Sequence, residues 1–234
     1  MKLYYHYCPS AFSNCYILGT DIPADEDGQP ENQSALLTEA PSPGKSSPKE
    51  ATSLPREAII IDPGNMDSKI LSLIEDNNYI LRAVLITHDH LHHIQGLSTI
   101  MKIYNTEIFA IKPVICEHRT TLVKDGDILD IGPFKTEVIS IPGHSADSAV
   151  YRINSFLFTG DTIGAGLLGS TASSYASATL INALRNRLFS LPGDHTILPG
   201  HGPPTSLEAE RRFNYDISTF DQQKNSRPSF RTVF

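Results

Sequence analysis

The sequence predicts a single α/β domain, and three observations carry that expectation. Short apolar runs that read as buried strands alternate with helical patterns from Ala58 onward. The 234 residues are 40% hydrophobic and 19% charged, enough to bury one sizeable core. Four of the expected strands end on a His or an Asp, the place where α/β folds gather functional groups.

The elements follow in order. Cys15–Leu18 reads as a strand. Residues 21–57 are rich in Pro, Ser and Glu, lack apolar periodicity, and read as a long loop inserted within the domain. Ala58–Ile61 is the next strand, so the insertion stands where a hairpin turn would be. Met66–Asn77 places Ile70, Leu71, Leu73 and Ile74 at helical spacing. Ile80–Thr87 is a buried strand that runs into THDHLHHIQG. His93–Tyr104 reads as a helix with Ile94, Leu97, Ile100 and Met101 on one face, and Glu107–Ile111 as a strand. DILDIG, KTEVISIPG, AVYRIN and SFLFTGD are successive strands. Ala176–Leu191 is an amphipathic helix with Leu180, Ile181, Leu184 and Leu188 inward. HTILPGHG is a last strand, followed by a short helix and tail.

Composition narrows the function. The formal net charge of −7 argues against a nucleic-acid partner, which would need an excess of Lys and Arg. No apolar run reaches the roughly 18 residues that span a bilayer, and MKLYYHYCPSAF lacks the basic-then-apolar pattern of a secretory signal. Three cysteines, Cys8, Cys15 and Cys116, without CxxC spacing read as reduced thiols. A cytoplasmic protein acting on a small molecule is expected; its oligomeric state stays open.

Four of the nine histidines fall within six residues: His88, His90, His92 and His93. His144 follows a strand in IPGHSADS, Asp161 in FLFTGD and His201 in LPGHG. Any one of these, a lone His before a Gly above all, reads as an ordinary surface or capping residue. Together they would converge if the strands are neighbours. Imidazole and carboxylate without thiolate suit zinc or iron better than magnesium or calcium.

With those motifs in view, the chain resembles the metallo-β-lactamase superfamily in its glyoxalase-II-like branch. The family signature T-H-x-H-x-D-H-x-x-G, PGH[ST], TGD and PGHG reads here as THDHLHHIQG, PGHS, TGD and PGHG. The resemblance covers nearly all of the chain outside 21–57. It implies an αββα sandwich with metal at one edge. It places His88, His90 and His144 at one metal site and His93 and His201 at a second, with Asp161 bridging both. It also implies that Asp62, in IDPG, lies beneath the ligands and bonds to one of them.

His92 departs from the family, which has aspartate there. Either the imidazole fails to reach and one metal remains, or it ligates and two sites of three histidines share Asp161. The expectation is two divalent ions, zinc first and iron as the alternative, with His92 as a ligand. The exchange makes the site one unit more positive, which weakens binding of a second ion but acidifies bound water. In the bland alternative His92 has drifted, and the protein is a non-catalytic binding member.

The remaining motifs are weaker. Gly164–Gly169 matches G-x-G-x-x-G, but no βαβ unit follows it, so dinucleotide binding is not expected. Ser42-x-x-Lys45 lacks structured context. Gly169-Ser170-Thr171 lacks the arginine that relatives carry there. Tyr175 stands near the expected mouth, as a hydrogen-bond donor to substrate or as amphipathic packing. His6, His118 and His195 read as solvent-facing.

The resemblance implies hydrolysis of an ester-, thioester- or lactone-like carbonyl by a metal-held hydroxide, with Asp161, His92 and Tyr175 as candidate catalytic residues. A glutathione thioester is not favoured, because the chain ends soon after His201. The alternatives are a mononuclear iron redox enzyme resembling persulfide dioxygenases, and a non-catalytic binding protein.

Overall fold

A computed structural model describes residues 1–21 and 56–226. β1 (Lys2–Cys8) and β2 (Ser13–Gly19) form a hairpin, and β3 (Glu57–Ile61) pairs antiparallel with β2. α1 (Ser68–Asp76), β4 (Ile80–Leu85), α2 (Leu91–Ile94), α3 (Leu97–Ile103) and β5 (Glu107–Ala110) follow. Three two-residue strands come next: β6 (Val114–Ile115), β7 (His118–Arg119) and β8 (Thr121–Leu122). β9 (Ile128–Ile131), β10 (Phe134–Ser140), β11 (Ala149–Ile153) and β12 (Phe156–Gly160) lead to α4 (Ser174–Ala183). The chain closes with β13 (Thr196–Pro199), β14 (Thr205–Ser206), α5 (Leu207–Phe213) and α6 (Tyr215–Ser226).

Two six-stranded sheets result, in the orders β1-β2-β3-β4-β5-β8 and β14-β13-β12-β11-β10-β9. Strand alternation sorts the side chains into three apolar layers. On β3, Ile59 and Ile61 point between the sheets, where they meet Phe134, Tyr151 and Phe158. Ala58 and Ile60 point the other way, toward Ile70 and Ile74 of α1 and Leu97 and Ile100 of α3. Behind the second sheet, Ile139, Val150, Leu157 and Ile197 pack on Leu180, Leu184, Leu188 and Leu207. The architecture is the αββα sandwich. Among the described residues no helix is long and apolar enough to cross a membrane.

Several boundaries differ from the sequence expectation. The helix expected over His93–Tyr104 is two helices, α2 and α3, broken at Gln95–Gly96. There the chain passes against the Pro63–Asn65 turn: a Cβ on Gly96 would stand 2.7 Å from the Pro63 carbonyl oxygen, and the Gly96 amide donates to that oxygen at 2.8 Å. The helix expected over Ala176–Leu191 starts earlier, where the Ser173 hydroxyl accepts from the Ala176 amide, and its last turn, Leu184–Leu188, is π-helical. Among the described residues, two helices rather than one follow β14. His6, His118 and His195 are half-buried rather than solvent-facing. β1 passes the start of α1, and His6 Nε2 lies 2.7 Å from the carboxylate of Asp67, the α1 N-cap. Glu57, read as loop, opens β3. The rest of the 21–57 segment, residues 22–55, lies outside the described residues and includes Ser42-x-x-Lys45.

Candidate metal centre

The metal-ligand candidates come from turns that leave neighbouring elements along one edge of the sandwich. β4 delivers His88, and the α2 turn delivers His90, His92 and His93. β10 leads to His144, β12 to Asp161 and β13 to His201. Two groups of ligand atoms form, each within 4.8 Å: His88, His90, His144 and Asp161; and His93, Asp161 and His201. Asp161 belongs to both.

Bonds on the outside of each ring decide which nitrogen points inward. His93 Nδ1 donates to Asp62 Oδ2 at 3.0 Å, His144 Nδ1 to the Ser170 carbonyl at 2.7 Å, and His201 Nδ1 to the Phe12 carbonyl at 2.6 Å. His88 Nδ1 lies 3.1 Å from the Thr87 hydroxyl, which itself donates to Asp62 Oδ2 at 2.6 Å. With Nδ1 protonated in each ring, Nε2 carries a lone pair toward the centre. His90 turns the other nitrogen in: its Nδ1 is 3.0 Å from both His88 Nε2 and His144 Nε2.

This arrangement fits a metal. His88 Nε2 and His144 Nε2 each lie 3.0 Å from His90 Nδ1, and a single proton cannot satisfy all three nitrogens. His93 Nε2 and Asp161 Oδ1 are buried without a hydrogen-bond partner, 3.4 Å apart and facing each other. Asp161 Oδ2 lies 3.8 Å from His88 Nε2, 3.7 Å from His144 Nε2 and 3.4 Å from His201 Nε2. Donors around a tetrahedral zinc with bonds of about 2.1 Å stand about 3.4 Å apart, within the range of these separations.

Electrostatics divide the donor set: His88 and His90 are held neutral, whereas the Asp161 carboxylate raises His201 and, with Asp62, His93, so a metal bound there would displace a proton from those two rings. Burial, then the neighbouring His93, pushes His88 down to about 3, so it stays a neutral donor. Burial and His144 lower His90 as well. Burial would lower His93, but the Asp62 and Asp161 carboxylates outweigh it and raise it. Burial would raise Asp161, but His201 and His93 hold it far below the usual carboxylate range, which favours the carboxylate form. The PGHG glycine has a steric role here. A Cβ on Gly200 would stand 2.4 Å from Asp161 Oδ1 and 2.4 Å from His93 Cε1.

The profile of the metallo-β-lactamase superfamily matches residues 54–208. The chain belongs to the metallo-β-lactamase superfamily. Within it, its relatives place it in the glyoxalase-II-like branch. An uncharacterized protein of Mycobacterium tuberculosis is 29% identical over 192 residues, 68% of this chain and 86% of that protein. A hydroxyacylglutathione hydrolase of Yersinia enterocolitica is 29% identical over 178 residues, 72% of this chain and 68% of the relative. A probable polyketide biosynthesis zinc-dependent hydrolase, BaeB, of Bacillus velezensis is 29% identical over 155 residues, covering 62% and 68%. The crystal structure of the B3 metallo-β-lactamase BLEG-1 superposes with a TM-score of 0.70 at 20% identity, covering 93% of this chain and 100% of that one.

His92, where the superfamily signature has aspartate, is exposed and joins neither group; its ring centroid lies 6.0 Å from that of His201. It borders the cleft, of about 650 Å³, that opens over the ligands. Tyr175 lies outside that lining, 82% exposed on the first turn of α4. Asp62 accepts from the Thr87 amide at 2.8 Å as well as from His93 and the Thr87 hydroxyl. The G-x-G-x-x-G stretch forms a wall of the cleft rather than a helix N-terminus.

Supporting residues without a motif escape sequence reasoning. Asp147 accepts from the Asp89 amide at 2.9 Å and holds the turn between His88 and His90. The start of β2 braces two ligand loops at once. Ser13 Oγ donates to the His92 carbonyl at 2.6 Å, and Asn14 Nδ2 donates to the carbonyls of Pro199 and Gly202 at 2.9 and 2.8 Å. The only cue in the sequence is that Asp147 follows His144 by three residues; nothing marks Phe12, Ser13 or Asn14.

Proposed function

We propose that this protein is a metal-dependent hydrolase of an ester-, thioester- or lactone-like small molecule, carrying two divalent transition ions. The observation that supports it most is the convergence of five imidazoles and one ionised carboxylate beneath an open cleft. His88, His90, His144 and Asp161 would hold one ion. His93, His201 and Asp161 would hold the second, with His92 turning in as its third imidazole. Zinc is the first choice, given an all-nitrogen and carboxylate donor set. Bound there, such ions lower the pKa of water toward neutrality and polarise a carbonyl oxygen.

The chain's own residues supply the rest. Asp161, whose carboxyl is held far below the usual range, offsets cationic charge in both groups. Asp62, Ser170 and the Phe12 carbonyl hold the rings of His93, His144 and His201 in the ligating tautomer. Three free thiols support a reducing, cytoplasmic setting.

The test is to load the purified protein with zinc or iron, count the ions by elemental analysis, and assay neutral esters, thioesters and lactones. Hydrolysis that tracks metal content supports the proposal; none with either metal refutes it. A mononuclear iron dioxygenase acting on a persulfide is the second reading. It is favoured by the first group having four donors where the second has three. One iron per chain and oxygen uptake with persulfide would establish it instead.

A further inference from the structure

The cleft has two chemically different walls. The histidines and Asp161 make one. The turn after β12 makes the other, with Ala165, Leu167 and Leu168 at the opening and Ile163 buried behind them. No Lys or Arg lines the cleft among the described residues. Leu167, at the loop tip, is 56% exposed, so a large apolar side chain is held out toward solvent beside a polar site.

The apolar wall is fixed by the C-terminal helices. The Gly166 amide donates to the buried carboxylate of Glu210 at 3.1 Å, and the Gly166 carbonyl accepts from the Tyr215 amide at 2.9 Å. The Leu168 amide donates to Asp216 at 2.8 Å. Ile163 and Leu168 pair across the loop, and the Gly164 amide bonds to the Leu167 carbonyl at 3.0 Å. A loop tied at three backbone atoms to two helices presents its leucines ready-made, so binding incurs little ordering cost.

We infer that Leu167 and Leu168, backed by the buried Ile163, form the subsite for an uncharged, apolar chain on the substrate; the inference rests on the hydrolase reading and names its substrate class. An anionic arm laid on this wall would give up hydration against leucine surface and meet no Lys or Arg among the lining residues. An alkyl chain would gain with each methylene it buries.

The experiment uses the metal-loaded protein with methyl-labelled Ile and Leu. The probes are two non-hydrolysable ketones in which a methylene replaces the sulfur of an N-acetylcysteamine thioester, one octanoyl and one succinyl. Expected are methyl shifts at Leu167 and Leu168 with the octanoyl ketone, and binding at least about 30-fold tighter than for the succinyl one. Leu167→Arg, at an exposed position, should keep its metal content and narrow or reverse that preference. Equal or tighter binding of the succinyl ketone, or unmoved Leu167 and Leu168 methyls, overturns the inference. The corresponding thioesters are assayed in parallel. Octanoyl-ketone binding at the wall, with neither these thioesters nor the corresponding esters and lactones cleaved, would refute the hydrolase reading and leave the apolar subsite standing.

Discussion

Asp62 Oδ2 accepts hydrogen bonds from both the Thr87 hydroxyl, at 2.6 Å, and His93 Nδ1, at 3.0 Å, so one buried carboxylate orients His93 directly and His88 through the hydroxyl. Asp62 sits at a left-handed φ of 50°, which asparagine also tolerates. Asp62→Asn should therefore keep the turn but replace an acceptor with a donor. Metal affinity should fall by about 10- to 100-fold, the usual cost of losing such a partner, measured by competition with a chromogenic chelator.

Asp161 serves both ligand groups. Asp161→Ala should remove the shared donor and lower the stoichiometry at both, whereas His201→Ala should spare the group built on His88, His90 and His144. Elemental analysis of the two variants separates these outcomes. Equal losses would show that the groups do not act as two sites.

The proposed function completes the second group with His92, which stands outside it in the structure. His92→Ala should weaken the second ion, and His92→Asp should restore or improve it, because carboxylate is the superfamily's usual donor there. Titration calorimetry with zinc reads the difference; unchanged stoichiometry and affinity in His92→Ala would remove His92 from the ligand set.

Glu210 is buried at 3% exposure and accepts from Gly166, Thr205 and Asn214. Glu210→Ala leaves those donors without a partner and should cost about 2–3 kcal/mol. Glu210→Gln, which keeps one acceptor oxygen, should cost less. Urea denaturation distinguishes them.

Asp67 caps α1, accepting from the amides of Lys69 and Ile70 at 3.0 and 3.1 Å. Burial works against its charge, but those amides and His6 outweigh it and hold the carboxyl below its usual value. A carboxyl depressed on folding stabilises above its unfolded pKa, about 3.9, and that contribution is lost as the pH falls through the folded value. Asp67→Ala should cost about 1 kcal/mol at neutral pH, and the two proteins should converge in stability in acid. A constant gap down to strongly acidic pH would contradict the cap's charge dependence.

The sequence by itself determined the α/β alternation and the ligand candidates. Buried strands such as Ala58–Ile61 announce themselves by apolar runs, and His88, His144, Asp161 and His201 sit at strand ends in short motifs with recognisable spacing. Local patterns carry that information because strand burial and turn chemistry act over a few residues. Only the tertiary structure decided what depends on contacts between distant segments. The chain bends at Gly96 because the Pro63 turn packs there. His201 gains its outer partner from Phe12, 189 positions away in sequence. His92 lies in the motif, yet its imidazole stands outside both ligand groups, and Leu167 becomes a cleft wall through hydrogen bonds to helices far along the chain. Through-space distance and orientation, which place one imidazole inward and its neighbour outward, have no signature in linear order.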